Sequence, residues 1–455
     1  MRLLVQRAGK VGVACIIAPL FAPWVGLLTG SLRKILLATL LLDIPLQIDS
    51  NFGYRDEAAA LGALGGYNVS LTTLALIALY VGWFVEGVAR RGRVPVPSFR
   101  FVLPLAVYVL FVVVSVVTAQ DLGLYARGAF LILQLFFLFV YLISWVQTRD
   151  DVLFVVKLLL IGLTLESAII LIAAQFSEGF ELPGLRVLVD RSTEELGGPR
   201  FYGSLGSPIN AAAYLEMLLA PAVAVLATRL GRSVKMAAVL GLGLGSIALI
   251  GTLSRASWIA AAFSISVTCF AFTRSGGRRR VAVPVLLLLF VGGVAVMFQS
   301  TISTRLTADD DGSARGRVPL MVTALEIIGD HPELGVGVNS YVAALPRYES
   351  TFSGEWLYTV HNRYLLVAAE TGLGGLIAFL WFLAVTIRRG WVRWRQGDPL
   401  LSPLALGFTA ALGGQMIHMS VDIFNSRSAI ELLWVVAALI AAMSRVDAQR
   451  RSAYV

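Results

Sequence analysis

Charge is scarce in this chain, and so are cysteine and histidine. Charged residues make up 14% of its 455 positions, whereas soluble domains carry about a quarter. A soluble fold of this length would need charge over most of its surface, so water is excluded as its main solvent. The two cysteines, Cys15 and Cys269, lie inside apolar runs and fit neither a disulfide framework nor a metal spacing. They read as small buried hydrophobes. There are only three histidines, His331, His361 and His418, and no His, Cys or carboxylate cluster has metal-ligand spacing. No metal and no cofactor are therefore expected. Neither GxGxxG nor GxxxxGK followed by Ser or Thr occurs, which argues against a nucleotide-driven pump. No repeat period of about 20–50 residues and no inverted half-repeat is evident.

What is present is apolar. Hydrophobic residues make up 57% of the chain and the mean hydropathy is +0.79. Apolar runs occur at 11–29, 35–48, 69–89, 101–119, 128–147, 152–175, 209–228, 236–253, 256–273, 281–299, 362–387, 400–420 and 429–444, most close to the roughly 20 residues that a bilayer core requires. The first is interrupted by Pro19 and Pro23 and lacks a convincing cleavage site, so no signal peptide is expected there. The net charge of +9 raises nucleic acid as a partner. Its distribution argues against that, because most of the Arg falls in short loops between the runs. Arg90, Arg91, Arg93 and Arg100 share one loop. Arg229, Arg232 and Lys235 share a second, Arg274, Arg278, Arg279 and Arg280 a third, and Arg388, Arg389, Arg393 and Arg395 a fourth. With Arg445, Arg450 and Arg451 of the tail, these alternate along the chain as cytoplasmic segments do.

The fold class that follows is all-α: a polytopic transmembrane protein with about 12 spans and a large external loop containing short surface helices. Run 35–48 is short and holds Asp43 and Pro45. One of the first two runs is thus expected to be re-entrant or broken, since otherwise the basic N-terminus (Arg2, Arg7, Lys10) would lie outside. The chain divides into N-terminal spans (1–175), a first long external loop (176–208), central spans (209–299), a large external loop (300–361) and C-terminal spans with a cytoplasmic tail (362–455). Loop 300–361 is too long for a plain connector. It contains a helix pattern starting near Pro319, with Gly329 and Pro332 as stops, expected to lie on the membrane surface.

Candidate chemistry gathers at the external side. Arg255 sits in a tight hairpin between the uncharged runs 236–253 and 256–273. A charge at headgroup depth is costly and often functional, although a plain snorkelling Arg is the alternative. Arg315 and Arg317 precede the surface helix and can grip phosphate oxygens, or pair instead with Asp309–Asp311. His361 stands where the long loop re-enters the membrane. A neutral imidazole there can accept a hydroxyl proton, or serve only as a structural hydrogen-bonder. Arg200, in the first external loop ahead of Asn210, would meet an anion at the same depth as Arg255. Arginines with one histidine and no carboxylate cage suit a lipid-linked diphosphate that departs as a sugar hydroxyl attacks. A flippase or transporter for such lipids is the competing class.

Two stretches carry a family resemblance. Residues 317–339 (RVPLMVTALEIIGDHPELGVGVN) and His361-Asn362, followed after nine residues by Gly372-Leu-Gly-Gly375, resemble the shared region of the O-antigen ligase and O-antigen polymerase superfamily. The Ser254-Arg255 hairpin and the Arg200, Gly203, Asn210 segment resemble it too, and the likeness is best over 198–385. It implies a helical membrane fold with a large periplasmic loop, in the inner membrane of a bacterium, with the site facing the periplasm. It also implies metal-independent, inverting transfer of a glycan from an undecaprenyl-diphosphate carrier to a glycan or lipid-core acceptor, in lipopolysaccharide or exopolysaccharide assembly. His361 falls on the family's base, and Arg255 and Arg317 on its essential arginines. Arg200, Arg315, Asn210 and Asn362 fall where the diphosphate or glycan would be held. Family members often have Trp where this chain has Met321, and Arg315 lies two residues from Arg317. Ligase and polymerase share these motifs, so the acceptor stays open between a lipid A core, a growing polymer and a protein hydroxyl. Oligomeric state is not legible.

Overall fold

The computed structural model describes residues 31–89, 97–176, 180–182, 185–187, 189–190, 199–274, 285, 293, 298–307, 313–348 and 358–452. Run 11–29, most of run 281–299, Arg90, Arg91, Arg93, segment 275–280 and Asp309–Asp311 fall outside them. The chain folds as an all-α polytopic membrane protein. In order, the elements begin with α1 (Leu32–Leu46), β1 (Asp49–Phe52), α2 (Asp56–Ala60), β2 (Tyr67–Ser70), α3 (Leu71–Ala89), α4 (Phe99–Val114), α5 (Leu122–Trp145) and α6 (Arg149–Ala173). Short strands follow: β3 (Phe180–Leu182), β4 (Leu185–Val187), β5 (Val189–Asp190) and β6 (Arg200–Phe201). Then come α7 (Pro208–Leu226), α8 (Arg232–Gly251), α9 (Arg255–Arg274), α10 (Gln299–Thr307), α11 (Ser313–Asp330), α12 (Tyr341–Ala344), α13 (Arg363–Arg395), α14 (Leu401–His418) and α15 (Arg427–Ser452).

Among the described residues, nine helices are long and apolar enough to cross a membrane: α3, α4 with its 3-10 extension, α5, α6, α7, α8, α9, α13 and α15. α14 is slightly less apolar but packs among them, its residues largely buried. α1 is only 15 residues long and carries Pro45 inside it. Its buried Asp43 accepts from Arg427 at 2.8 Å and from the Thr72 hydroxyl at 2.9 Å, and Glu431 joins the same cluster at 3.2 Å from Arg427. That ion pairing permits a carboxylate inside an apolar run.

Burial separates core from rim. The apolar stretches of α15 and α7 are 89% and 83% buried by protein, against 22% for α3, so α7 and α15 form the centre and α3 presents its side chains to lipid. Small residues let the central helices close in. A Cβ placed on Gly414 of α14 would stand 2.5 Å from the Ala260 carbonyl of α9. Helix starts are capped where the site lies: Asp121 accepts from the Leu124 amide at 2.9 Å, Ser207 from Asn210 at 3.2 Å, and Asn362 from Tyr364 and Leu365 at 3.0 and 3.1 Å, each satisfying otherwise orphan amides.

The surface helix differs from its sequence reading. α11 begins at Ser313, so Pro319 lies inside it and removes one intrahelical bond. Packing holds it nonetheless. Leu320, Ala324 and Ile327 are buried in a cluster with Val336, Tyr341, Leu345 and Leu366, each large side chain contributing about 1.5–3 kcal/mol. The stripe therefore rests on protein, while Val318, Met321 and Leu325 remain exposed.

Candidate active site

The two sequence stretches that carry the resemblance meet through their backbones. α13 is broken at Gly372 (φ 73°, ψ 175°). The loop after α11 docks into the break: Val336 donates to Ala369 O at 2.9 Å, Gly337 to Glu370 O at 3.0 Å, and Leu373 to Pro332 O at 2.8 Å. The approach is too close for side chains. A Cβ on Gly372 would lie 2.2 Å from the Glu333 carbonyl oxygen, and one on Gly335 would lie 2.4 Å from the Glu370 carbonyl carbon. Asn339 completes the joint, donating to Leu64 O at 3.1 Å and Leu124 O at 2.9 Å and accepting from the Leu64 amide at 2.7 Å. The glycines thus position the loop and α11 over the start of α13.

His361 stands at that start. Thr359, two residues before it, donates through its amide and hydroxyl to Leu61 O at 3.0 and 2.9 Å. The amide of Arg363, two residues after it, donates to Met419 O at 2.8 Å. Asn362 Nδ2 donates to Ser420 O at 2.9 Å. The start of α13 is thereby stitched to the end of α14, which brings Asp422 to His361. The His361 ring stacks on Tyr358 with centroids 5.3 Å apart. Its Nδ1 is buried and has no hydrogen-bond partner among the described residues. Burial lowers the His361 pKa below its ordinary 6.5. The Arg317 charge lowers it further, while Asp422 and the Thr359 backbone oppose both. The net direction leaves a neutral imidazole at pH 7. The sequence suggests Arg363 as a nearby positive charge. Arg363 is instead buried and interacts with Tyr108 and Glu370.

Arg255 opens α9 after a turn in which Leu253 adopts φ 54°. Arg200 binds the same turn, its Nε donating to Thr252 O at 2.9 Å; β6, which carries it, pairs Asp190 with Arg200. Beneath the turn runs a buried polar chain. The Ser254 and Ser257 hydroxyls are 2.9 Å apart, and Ser257 Oγ lies 3.4 Å from His418 Nδ1. His418 Nδ1 lies 3.0 Å from Glu216 Oε1, and its Nε2 3.7 Å from Asp422 Oδ2. The Arg317 charge acts on both His361 and His418. The structure therefore brings Arg200, Arg255, Arg317 and His361 to one end of the bundle, around a histidine–carboxylate core. Asn210 is half-buried in the first turn of α7, with its amide Nδ2 on Leu205 O at 3.3 Å. Asn362 serves as the cap described above. Arg315 lies in α11, and its side chain falls outside the described residues.

His418, Glu216, Asp422 and Tyr358 were not singled out by sequence reasoning. Glu216 inside an apolar run was the available signal, since an ionisable group there is a functional candidate by default. The His418–Asp422 spacing of one helical turn at a span end was another. Among the described residues no three His, Cys, Asp or Glu side chains are placed to hold a metal ion. Glu216 and Asp422 lie against different nitrogens of the His418 ring.

Residues 240–380 match the family described as O-antigen ligase. That stretch is similar to the O-antigen ligase superfamily. The match supports a membrane glycosyltransferase of the O-antigen ligase and polymerase type, and the matched region contains Arg255, Arg317, His361 and both halves of the glycine joint. No curated protein matches the sequence. A solved structure described as "Structural coordination of polymerization and crosslinking by a peptidoglycan synthase complex" is similar at 17% identity, over 77% of this chain and 98% of that one, with a TM-score of 0.40.

Proposed function

We propose that this ligase-family site transfers a glycan from an undecaprenyl-diphosphate carrier to an acceptor sugar hydroxyl, at the outer face of a bacterial cytoplasmic membrane, without a metal ion and with inversion at the anomeric carbon. The observation that carries the reading is a half-buried His361 whose pKa is lowered by burial and by the Arg317 charge, on the same bundle end as Arg255 and Arg200. His361 takes the acceptor proton as the hydroxyl oxygen bonds to the anomeric carbon. The bond from that carbon to the diphosphate oxygen breaks in the same step. Arg255 and Arg317 neutralise the departing diphosphate in bidentate fashion. Attack opposite the leaving group inverts the centre. The proton on His361 then passes to solvent or to the released diphosphate. The basic residues Arg33, Lys34, Arg149, Arg388, Arg389, Arg395 and Arg445 flank opposite ends of the same spans, which supports a site facing outward.

The test uses purified full-length protein with a defined undecaprenyl-diphosphate glycan and a sugar acceptor, with and without EDTA, and proton NMR of the product. Transfer that survives chelation and yields the inverted anomer is expected. Transfer abolished by EDTA and restored by a divalent ion, or a retained anomer, contradicts the mechanism.

A further inference from the structure

We propose that His418 is a positioning residue for this transfer: clamped between Glu216 and Asp422, its ring holds the Asp422 carboxylate toward His361 and, through Ser257 and Ser254, the turn that carries Arg255. The proposal rests on the function given above, but its geometry stands separately. His418, Glu216 and Asp422 are 1%, 2% and 6% exposed, so no bulk water screens them. Glu216 Oε1 is 3.0 Å from Nδ1, and Asp422 Oδ2 is 3.7 Å from Nε2. A neutral imidazole has one N–H and would turn a lone pair toward one carboxylate. With both acids ionised, only the doubly protonated ring presents an N–H to each. Leaving two buried carboxylates without that cation would be severely costly. The ring is also oriented from outside the trio: Phe424 meets it edge-on, with centroids 5.2 Å apart, and the Ile423 amide binds Asp422 Oδ1 at 2.8 Å.

The three segments that meet at this ring are the ones that carry the chemistry. Glu216 is on α7, Ser257 is two residues after Arg255 on α9, and Asp422 is in the loop that faces His361. The groups facing His361 are Asp422, Arg317, Tyr358 and the Thr359 backbone. Those facing His418 are Glu216, Ser257, Asp422 and Arg317. Asp422 is the one carboxylate common to both. A cationic His418 screens the Asp422 charge from His361 and so helps keep His361 unprotonated. Removing the cation exposes His361 to the full Asp422 charge.

The experiment is ring-nitrogen NMR of the detergent-solubilised full chain, whose three histidines are assigned by single replacement. In the native chain His418 is expected to be doubly protonated at a pH where His361 is neutral. A single neutral tautomer for His418 at pH 7 overturns the clamp. In H418Q the His361 midpoint is expected to rise by about one pH unit or more, leaving about tenfold fewer neutral rings near it. H418Q/D422N should bring the midpoint back to the native value or below. An unmoved midpoint in a folded H418Q also overturns the proposal. Turnover gives a parallel reading: kcat of H418Q falls at pH 7 and recovers at higher pH, with donor KM little changed. A role in stability alone would lower the melting temperature and leave the pH profile where it was. Midpoints that move as expected in a protein that transfers no glycan would uphold the clamp and sink the reading of function.

Discussion

Leu373 donates its backbone amide to the carbonyl of Pro332 at 2.8 Å, and the two residues come from the two separate stretches that carry the family likeness. Their glycines are the two sides of one joint. At Gly372 an added methyl meets both the left-handed φ penalty and the Glu333 carbonyl. Gly372→Ala should destabilise the protein by about 2–4 kcal/mol and loosen α11 over the site. Thermal melting in detergent measures this, and a variant that melts with the native protein would show that the joint carries no stability.

Acid should switch the enzyme off later than an ordinary histidine would. The base acts only when unprotonated, so rate is full above the His361 midpoint and lost as pH falls through it. Burial and Arg317 lower that midpoint from 6.5, and the acid limb of kcat/KM should lie below that value. Asp422→Asn removes a charge that favours the protonated ring, so the limb moves to lower pH. Arg317→Gln removes the opposing charge, so it moves to higher pH. A limb indifferent to both replacements would separate His361 from the rate.

The arginines should differ in kind. Arg255→Lys keeps charge but loses the planar fork, and turnover should fall by about 10²–10³-fold, the scale for one lost transition-state donor. Arg200→Ala releases the Thr252 carbonyl and should cost less. Arg317→Ala should cost more than Arg315→Ala. Steady-state kinetics of the set decides, and a mild effect at 317 with a severe one at 315 would move the role to Arg315.

Orientation is open to direct labelling. In a background lacking Cys15 and Cys269, Ser313→Cys should react with an impermeant thiol reagent in intact cells and Ser275→Cys should not. The reverse pattern would place the site in the cytoplasm and remove an outer-face reaction.

Much of the fold was legible from apolar run lengths. The runs 209–228, 256–273 and 400–420 anticipate α7, α9 and α14 within about two residues of most ends, as expected where length and apolarity decide. Pro319 marks a helix start in the sequence, yet α11 begins at Ser313, because the Leu320, Ala324 and Ile327 stripe outweighs the lost bond. The arginines and His361 were visible as isolated polar groups at run ends. Their support was not: Glu216 and His418 are 202 positions apart, and only helix packing shows that they touch. Arg363 follows the same rule: it is close to His361 in sequence, but its partners are Tyr108 and Glu370.

The most direct test of the central claim is the single-turnover rate of His361→Ala, measured on one preparation together with its melting temperature and its binding of the lipid-diphosphate glycan. The variant is expected to melt and bind donor like the native protein, yet transfer at least about 10²-fold more slowly, the lower range of general-base assistance. A stable His361→Ala variant that binds donor and transfers glycan at the native rate would contradict the account.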